Sequence, residues 1–266
     1  MNKIESAKSE IIKEYPYLYE THLHTKEASK CAKNSAEDIV RAYKSAGYTG
    51  VIITDHHYGG NTAIDRNLPY EDFVYEFFSG YRNAKQAGDI IGLDVFCGWE
   101  AGFNSTEFLI YGLGEEWLKN HPEMNSCTVF EQFEIVSNAG GMIIHAHPFR
   151  KRNYIKQIRL YPEFVHGVEG INASHTDHTH HKEHENEIHL PENEDHLANI
   201  KAFEYAKSHN LPVTAGSDMH STNLFDGAGM RFKKKLTSIN DFIDAVMSFG
   251  KTNEYILSDG ENFYSI

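Results

Sequence analysis

Several apolar, strand-like runs in this sequence end on side chains that bind cations. They are His22 and His24 in THLHT, Asp55 and His56 in VIITDHH, Glu100 in VFCGWE, His145 and His147 in MIIHAHPF, and Asp218 and His220 in VTAGSDMH. Imidazole and carboxylate together suit divalent transition ions, and groups at the ends of several strands meet only if the fold gathers them. Gathered, they would support hydrolysis by water that clustered metal ions have acidified.

His22 and His24 are two residues apart, so on an extended strand both rings point to one side and can share an ion. Asp218 and His220 repeat that spacing after the turn-like Ala215-Gly216-Ser217, and barrel closure would bring the two pairs together. Glu100 follows an apolar run and suits a carboxylate bridging two ions, where it screens the repulsion between metals roughly 3.5–4 Å apart; a surface-loop glutamate is the competing reading. Asp55, His56 and His57 face different ways on an extended backbone. His56 is the ligand candidate among them, Asp55 an acceptor that fixes an imidazole tautomer, and His57 a solvent-facing residue. In His145-Ala146-His147-Pro148-Phe149-Arg150, His147 is the stronger ligand because Pro148 turns the chain across the barrel mouth. His145 stands between a ligand or supporting role and a packed histidine. Arg150 suits a charge-assisted fork on a phosphoryl oxygen, against an exposed ion pair. Glu169 and Asn172 lie near a strand end, either orienting a ligand or hydrogen-bonded within the barrel.

Alternating helices and strands must position these groups. Residues 34–47 read as a helix, with Ser35 and Asp38 as a capping box, Ala36, Ile39, Val40, Tyr43 and Ala46 as the apolar face and Gly47 as the stop. Residues 48–54 then read as a buried strand ending at Asp55 and His56. A helix over about 70–87 precedes a strand at 93–97, with Glu100 just beyond it, and 108–111 supplies another strand. A helix over 129–139 leads into a strand at 142–144. Strands at 165–171 and 212–215 flank a helix over 197–208, and Ser238 with Asp241 caps a last helix striped by Phe242, Val246 and Phe249. This alternation predicts a parallel α/β sheet closed into a regular or distorted barrel over one domain, residues 1–266. An open doubly wound sheet is disfavoured, because no glycine-rich fingerprint follows the first strand and the candidate ligands span the whole chain.

With 266 residues the chain can bury a substantial core, and its formal charge of −13 disfavours a broad nucleic-acid surface. A small phosphorylated substrate is compatible, since divalent ions reverse the local field of a carboxylate cluster. Cys31, Cys97 and Cys127 have no paired spacing, which points away from a disulfide framework and towards a reducing, cytoplasmic setting. No segment reads as a secretory signal or a membrane span.

These residues, in this order, resemble the polymerase and histidinol phosphatase (PHP) family. The resemblance runs from His22 to His220 and rests on His22-Leu23-His24, Thr54-Asp55-His56, Gly98-Trp99-Glu100, His147-Pro148 and Asp218-Met219-His220. It implies a distorted, TIM-like (β/α)7 barrel with two or three divalent ions, serving phosphoester hydrolysis. It also carries His22, His24, His56, Glu100, His147, Asp218 and His220 onto the family's ligand positions. Where members often present an Asp or His after the first pair, this chain offers Glu27; where another His is common before Phe108-Leu109-Ile110-Tyr111-Gly112, it has Glu107. Both are substitute ligand candidates, and zinc, manganese and iron all fit the mixed donor set.

Residues 174–196, SHTDHTHHKEHENEIHLPENEDH, interrupt the pattern with a histidine-rich insertion. It reads either as an exposed loop or as a cover over the barrel mouth, with His175, His178, His180 and His181 as candidates to touch substrate or an accessory ion. The expected activity is a metal-dependent phosphoesterase acting on a small phosphomonoester, with Glu100, His147, Asp218 and Arg150 as the catalytic set. An amidohydrolase-like enzyme and a metal-storage or metal-dependent binding protein are the alternatives.

Overall fold

The computed structural model describes residues 3–175, 196–223 and 227–265. In chain order the elements are α1 (Lys3–Glu14), β1 (Tyr17–Leu23), α2 (Ala36–Ser45), β2 (Gly50–Ile53), α3 (Tyr70–Phe77), α4 (Ser79–Ile91), β3 (Asp94–Phe103), β4 (Thr106–Tyr111) and α5 (Glu115–Lys119). They continue with α6 (Val129–Asn138), β5 (Met142–His145), β6 (Gly167–Asn172), α7 (His196–Ser208), β7 (Val213–Gly216), β8 (Ala228–Phe232), α8 (Ile239–Met247), β9 (Tyr255–Asp259) and β10 (Phe263–Tyr264).

All the strands join one curled sheet in the order β10-β9-β8-β1-β2-β3-β4-β5-β6-β7. The β1–β2, β2–β3, β5–β6 and β6–β7 pairs are parallel, as expected of strands whose residues are buried on both faces. The β3–β4 hairpin and the C-terminal strands are antiparallel. The two ends of the barrel meet incompletely. Beyond β7, Met219 bridges Leu23, the His24 N–H donates to the Met219 carbonyl at 2.9 Å, and Thr21 Oγ1 donates to the Ala215 carbonyl at 2.7 Å. The architecture is a distorted, unclosed (β/α)7-like barrel.

Local sequence explains the helices that carry it. Ser35 caps α2 by accepting from the Asp38 N–H, and Ala36, Ile39, Val40 and Tyr43 form its buried face. Reciprocal capping boxes start α6 at Thr128 and Glu131, and α8 at Ser238 and Asp241. Phe242 and Val246 are buried on α8, whereas Phe249 lies beyond its end. The single helix expected over 70–87 is broken at Phe78 into α3 and α4. Gly80, just past the break, lies where a Cβ would come within 2.1 Å of Thr25 Oγ1, so the missing side chain lets α4 start against the β1–α2 loop.

One core cluster gathers Tyr19, Leu109, Tyr111, Ile144, Phe232 and Phe242. A second places Phe73, Phe77, Trp99, Phe108 and Phe133 between the sheet and its helices, and a third packs α2 against β2 through Ile39, Val40 and Val51. His57 belongs with the second group. It is 2% exposed and meets Phe73, Phe77 and Trp99, which corrects the expectation that it faces solvent. No described helix is long and apolar enough to cross a membrane.

Candidate metal centre

The barrel mouth is built around Glu100. The strand expected at 93–97 runs on as β3 to Phe103, so Glu100 lies inside the strand; its N–H donates to the Asp55 carbonyl, and its own carbonyl accepts from the His57 N–H at 2.8 Å. This extra pairing with the chain after β2 turns the carboxylate into the barrel, where it is fully buried. Four imidazoles converge on it: His56 Nδ1 at 2.7 Å, His147 Nε2 at 3.3 Å, and His22 Nε2 and His24 Nε2 each at 3.5 Å.

Asp218 enters from the far edge. Its Oδ1 lies 3.1 Å from His24 Nε2, 3.4 Å from His22 Nε2 and 3.7 Å from His220 Nε2. The spacing supports overlapping triads of His22, His24 and Asp218; His22, Glu100 and His147; His56, Glu100 and Glu107; and His24, His56 and His220. The structure thus brings together His22, His24, His56, Glu100, Glu107, His147, Asp218 and His220. His147 and Asp218 hold positive φ values of 27° and 55°, a conformation costing a non-glycine residue on the order of 1–3 kcal/mol unless its surroundings impose it.

Glu27 does not join them. Both its oxygens accept from the Ala36 N–H at 3.0–3.1 Å, so the side chain serves the N-terminus of α2. The same loop carries Cys31, half-buried, which joins none of these groups. Burial opposes the Cys31 thiolate, yet His220 and His56 outweigh it and lower the thiol to about 7.

Supporting groups set which ring nitrogens face the centre. Glu169 Oε1 lies 2.8 Å from His22 Nδ1, which holds the proton there and leaves Nε2 free to bind an ion. Glu169 Oε2 accepts from the His147 N–H at 3.0 Å and from Asn172 Nδ2 at 3.1 Å. Asp55 acts on an imidazole through an intermediary. It accepts from Ser29 Oγ at 2.7 Å, and Ser29 Oγ, its only hydrogen thus used, can accept from His24 Nδ1 at 3.3 Å. That relay leaves His24 Nε2 bare towards the cluster. Neither Glu169 nor Ser29 carries a strong sequence signal, because single polar residues in strands and loops are common.

Arg150 is neither exposed nor free. Its guanidinium is bound to Glu107 and donates to Asp218 Oδ2 at 3.1 Å, and these carboxylates hold it charged against its burial. Burial opposes charge on His22, but Glu169, Asp218 and Glu100 overcome it and raise its pKa well above normal. His24, desolvated and beside His56, is pushed well below normal. Desolvation disfavours ionised Glu100 and Asp218, yet the surrounding imidazoles keep both well below the usual carboxylate range. His145 packs against Phe108 and Tyr161 with both ring nitrogens unpartnered, and burial lowers it to about 3. It is a packed histidine.

A narrow cleft beside the cluster is lined by Glu107, His147, Arg150, Gln157 and Arg159 among others. His175, fully buried, has its ring 6.3 Å from that of His147 and no hydrogen-bond partner on either nitrogen. His178, His180 and His181 lie outside the described residues.

A family model described as PHP-associated matches residues 196–247. No curated protein matches the chain. Among solved structures, the chain is similar to a two-domain protein containing a predicted PHP-like metal-dependent phosphoesterase from Bacteroides vulgatus ATCC 8482, at 13% identity and a TM-score of 0.62. That match covers 91% of this chain and 64% of the other, so this chain spans less than two thirds of the two-domain protein. It is also similar to PsfC from Pseudomonas syringae PB-5123, at 13% identity and a TM-score of 0.57, covering 92% and 93% of the two chains. A putative metal-dependent phosphoesterase from Bifidobacterium adolescentis ATCC 15703 matches at 15% identity and a TM-score of 0.50, covering 88% and 96%.

Proposed function

We propose that this chain, a PHP-like domain by fold, is a metal-dependent phosphoesterase that hydrolyses a small phosphomonoester with two or three divalent ions. The observation that carries the reading is a set of orphaned polar atoms. Both oxygens of Glu100, His56 Nδ1 and His147 Nε2 are buried without a well-aligned hydrogen-bond partner. Unpaired buried polar groups are costly, and four at one point make sense as donors to cations.

His22, His24, Glu100 and Asp218 would hold one ion, Glu100, Glu107, His56 and His147 a second, and His220 belongs with His24 and His56. Their mixed nitrogen and oxygen donors suit zinc, manganese or iron. Bound there, divalent ions supply Lewis acidity and an acidified water. The chain's own residues do the rest. Glu169 and Ser29 keep His22 and His24 with their Nε2 lone pairs inward. Arg150 offsets the negative charge of Glu107 and Asp218 and puts a guanidinium beside the cleft, where it can steady a phosphoryl oxygen. Gln157 and Arg159 line the narrow cleft beside it.

The test is metal analysis joined to turnover. Chelation should abolish hydrolysis of p-nitrophenyl phosphate, and added zinc, manganese or iron(II) should restore it; Glu100→Gln should lose bound metal and turnover together. A folded protein that retains no divalent ion, or one that cleaves amides or lactones and no phosphomonoester, would overturn the proposal. Panels of nucleotides, sugar phosphates and amino-alcohol phosphates would then identify the substrate.

A further inference from the structure

The metal centre leaves one buried histidine beside it unused. His175 ends the short turn Ala173–His175 that follows β6, is 1% exposed, and has no hydrogen-bond partner on either ring nitrogen among the described residues. It belongs to none of the groups whose donor atoms lie close enough to share an ion. His145, orphaned likewise, packs its ring against Phe108, Tyr161 and Tyr205. His175 instead has the His147 ring as its neighbour, 6.3 Å away between centroids and inclined at 67°.

The turn that carries His175 is tied to the centre. Asn172 Oδ1 accepts from the Ser174 N–H at 3.1 Å, and the Asn199 side chain clamps Asn172 by accepting from its N–H and donating to its carbonyl, both at 3.1 Å. Asn172 Nδ2 donates to Glu169 Oε2, the same oxygen that accepts from the His147 N–H. One carboxylate therefore joins the turn bearing His175 to the strand exit bearing His147. Arg150 closes a turn back onto the His147 carbonyl at 2.9 Å. Its two terminal nitrogens are taken by Glu107 and Asp218, but its Nε–H is buried without a partner.

We propose that His175 is a substrate-binding residue, its ring N–H and the Arg150 Nε–H both donating to phosphoryl oxygens that the ions do not hold. The inference rests on the phosphoesterase reading above. Burial keeps the His175 ring well below its normal pKa, so it is neutral, with one N–H to give. Buried donors left unpaired are costly, and a phosphoryl group seated beside His147 accepts from both at once. A cation would leave the Arg150 N–H unpaired, because a guanidinium has no acceptor to offer it.

Calorimetric titration of the metal-loaded chain with inorganic phosphate tests this. His175→Leu should weaken phosphate binding about 10–100-fold, the loss expected when a hydrogen bond to an anion goes. Its metal content should match the parent's, and its melting temperature should not fall, since the lost nitrogens had no partners. His175→Gln, which keeps an N–H, should lose less; equal losses would point to shape alone and overturn the hydrogen bond. His175→Phe, a ring without nitrogens, repeats the leucine measurement should that variant misfold. A phosphate affinity within twofold of the parent, with metal retained, would overturn the role of His175 and leave the phosphoesterase reading standing, as would a loss of bound metal that made His175 a ligand. A metal-loaded parent that binds no phosphate and hydrolyses no phosphomonoester would overturn both.

Discussion

Glu169 spends one oxygen on the His22 ring and the other on the His147 backbone, so a single carboxylate orients two of the groups that surround Glu100. Glu169→Gln keeps the shape but removes the charge that holds the proton on His22 Nδ1. Metal affinity should fall roughly 10–100-fold, read by competition with a chromophoric chelator, while far-ultraviolet circular dichroism stays unchanged; an affinity within twofold of the parent would remove Glu169 from this role. His57 makes a different prediction. Burial, reinforced by Arg66, holds its ring neutral down to about 3, against an ordinary value of 6.5. The unfolded chain takes up that proton near 6.5 and the folded one does not, so the stability contribution is complete above 6.5 and is lost as the pH falls from there towards 3. The slope is about 1.4 kcal/mol per pH unit for each such group, and His145 adds another. His57→Leu should therefore flatten the acid limb of the urea-midpoint profile, and a limb of unchanged steepness would show that His57 titrates freely in the fold.

Between elements, the seam from β1 to β7 depends on Glu20, which is fully buried. Its Oε1 accepts from the Thr21, His22 and Ser217 N–H groups at 2.8–3.0 Å, and its Oε2 from Ser217 Oγ at 2.6 Å and Tyr43 Oη at 3.0 Å. Glutamine would replace one of those acceptors with a donor facing donors. Glu20→Gln should cost at least about 2 kcal/mol in urea unfolding and weaken metal binding as Asp218 loses its anchor; a loss below about 0.5 kcal/mol would show that the seam closes without it. Glu20 also marks the limit of what the sequence reveals. Helices α2 and α8 were legible because a cap and a 3.6-residue apolar stripe are local signals, as were strands that begin as unbroken apolar runs and end on His or Asp. Strands β8, β9 and β10 were not, because AGMRF lacks an apolar run, YILSD carries one of only three residues, and they owe their pairing to one another and to β1. The continuation of β3 through Glu100 depends on the β4 hairpin and on the chain after β2, again outside local reach. Most of the candidate cluster could be picked out by donor type and position, whereas Glu27, read as a substitute ligand, is turned to the start of α2 by the fold of residues 25–34, which no local signal reveals.

Across the whole molecule, the candidate ligands come from β1, β3, β4 and the segments that follow β1, β2, β5 and β7, so bound ions would tie together both edges of a barrel that backbone pairing leaves unclosed. The chain is also acidic, with a net charge of −13, and the cluster concentrates Glu100, Glu107, Asp218 and Glu169 against imidazoles and Arg150. Cations should therefore stabilise the fold as well as equip it for chemistry. At a free metal concentration 100-fold above Kd, mass action alone adds about 2.7 kcal/mol. For a chain of this size that corresponds to a rise in the melting temperature of roughly 2–4 °C per kcal/mol. Chelation should lower the melting temperature by that order and speed amide exchange first along the seam, at His24 and Met219, whose backbones bond across it. Glu100→Ala should melt at one temperature with or without metal. If chelator leaves the parent's melting curve and its seam exchange unchanged, the edges of the barrel are held by Glu20 and backbone pairing alone, and the cluster plays no part in closing it.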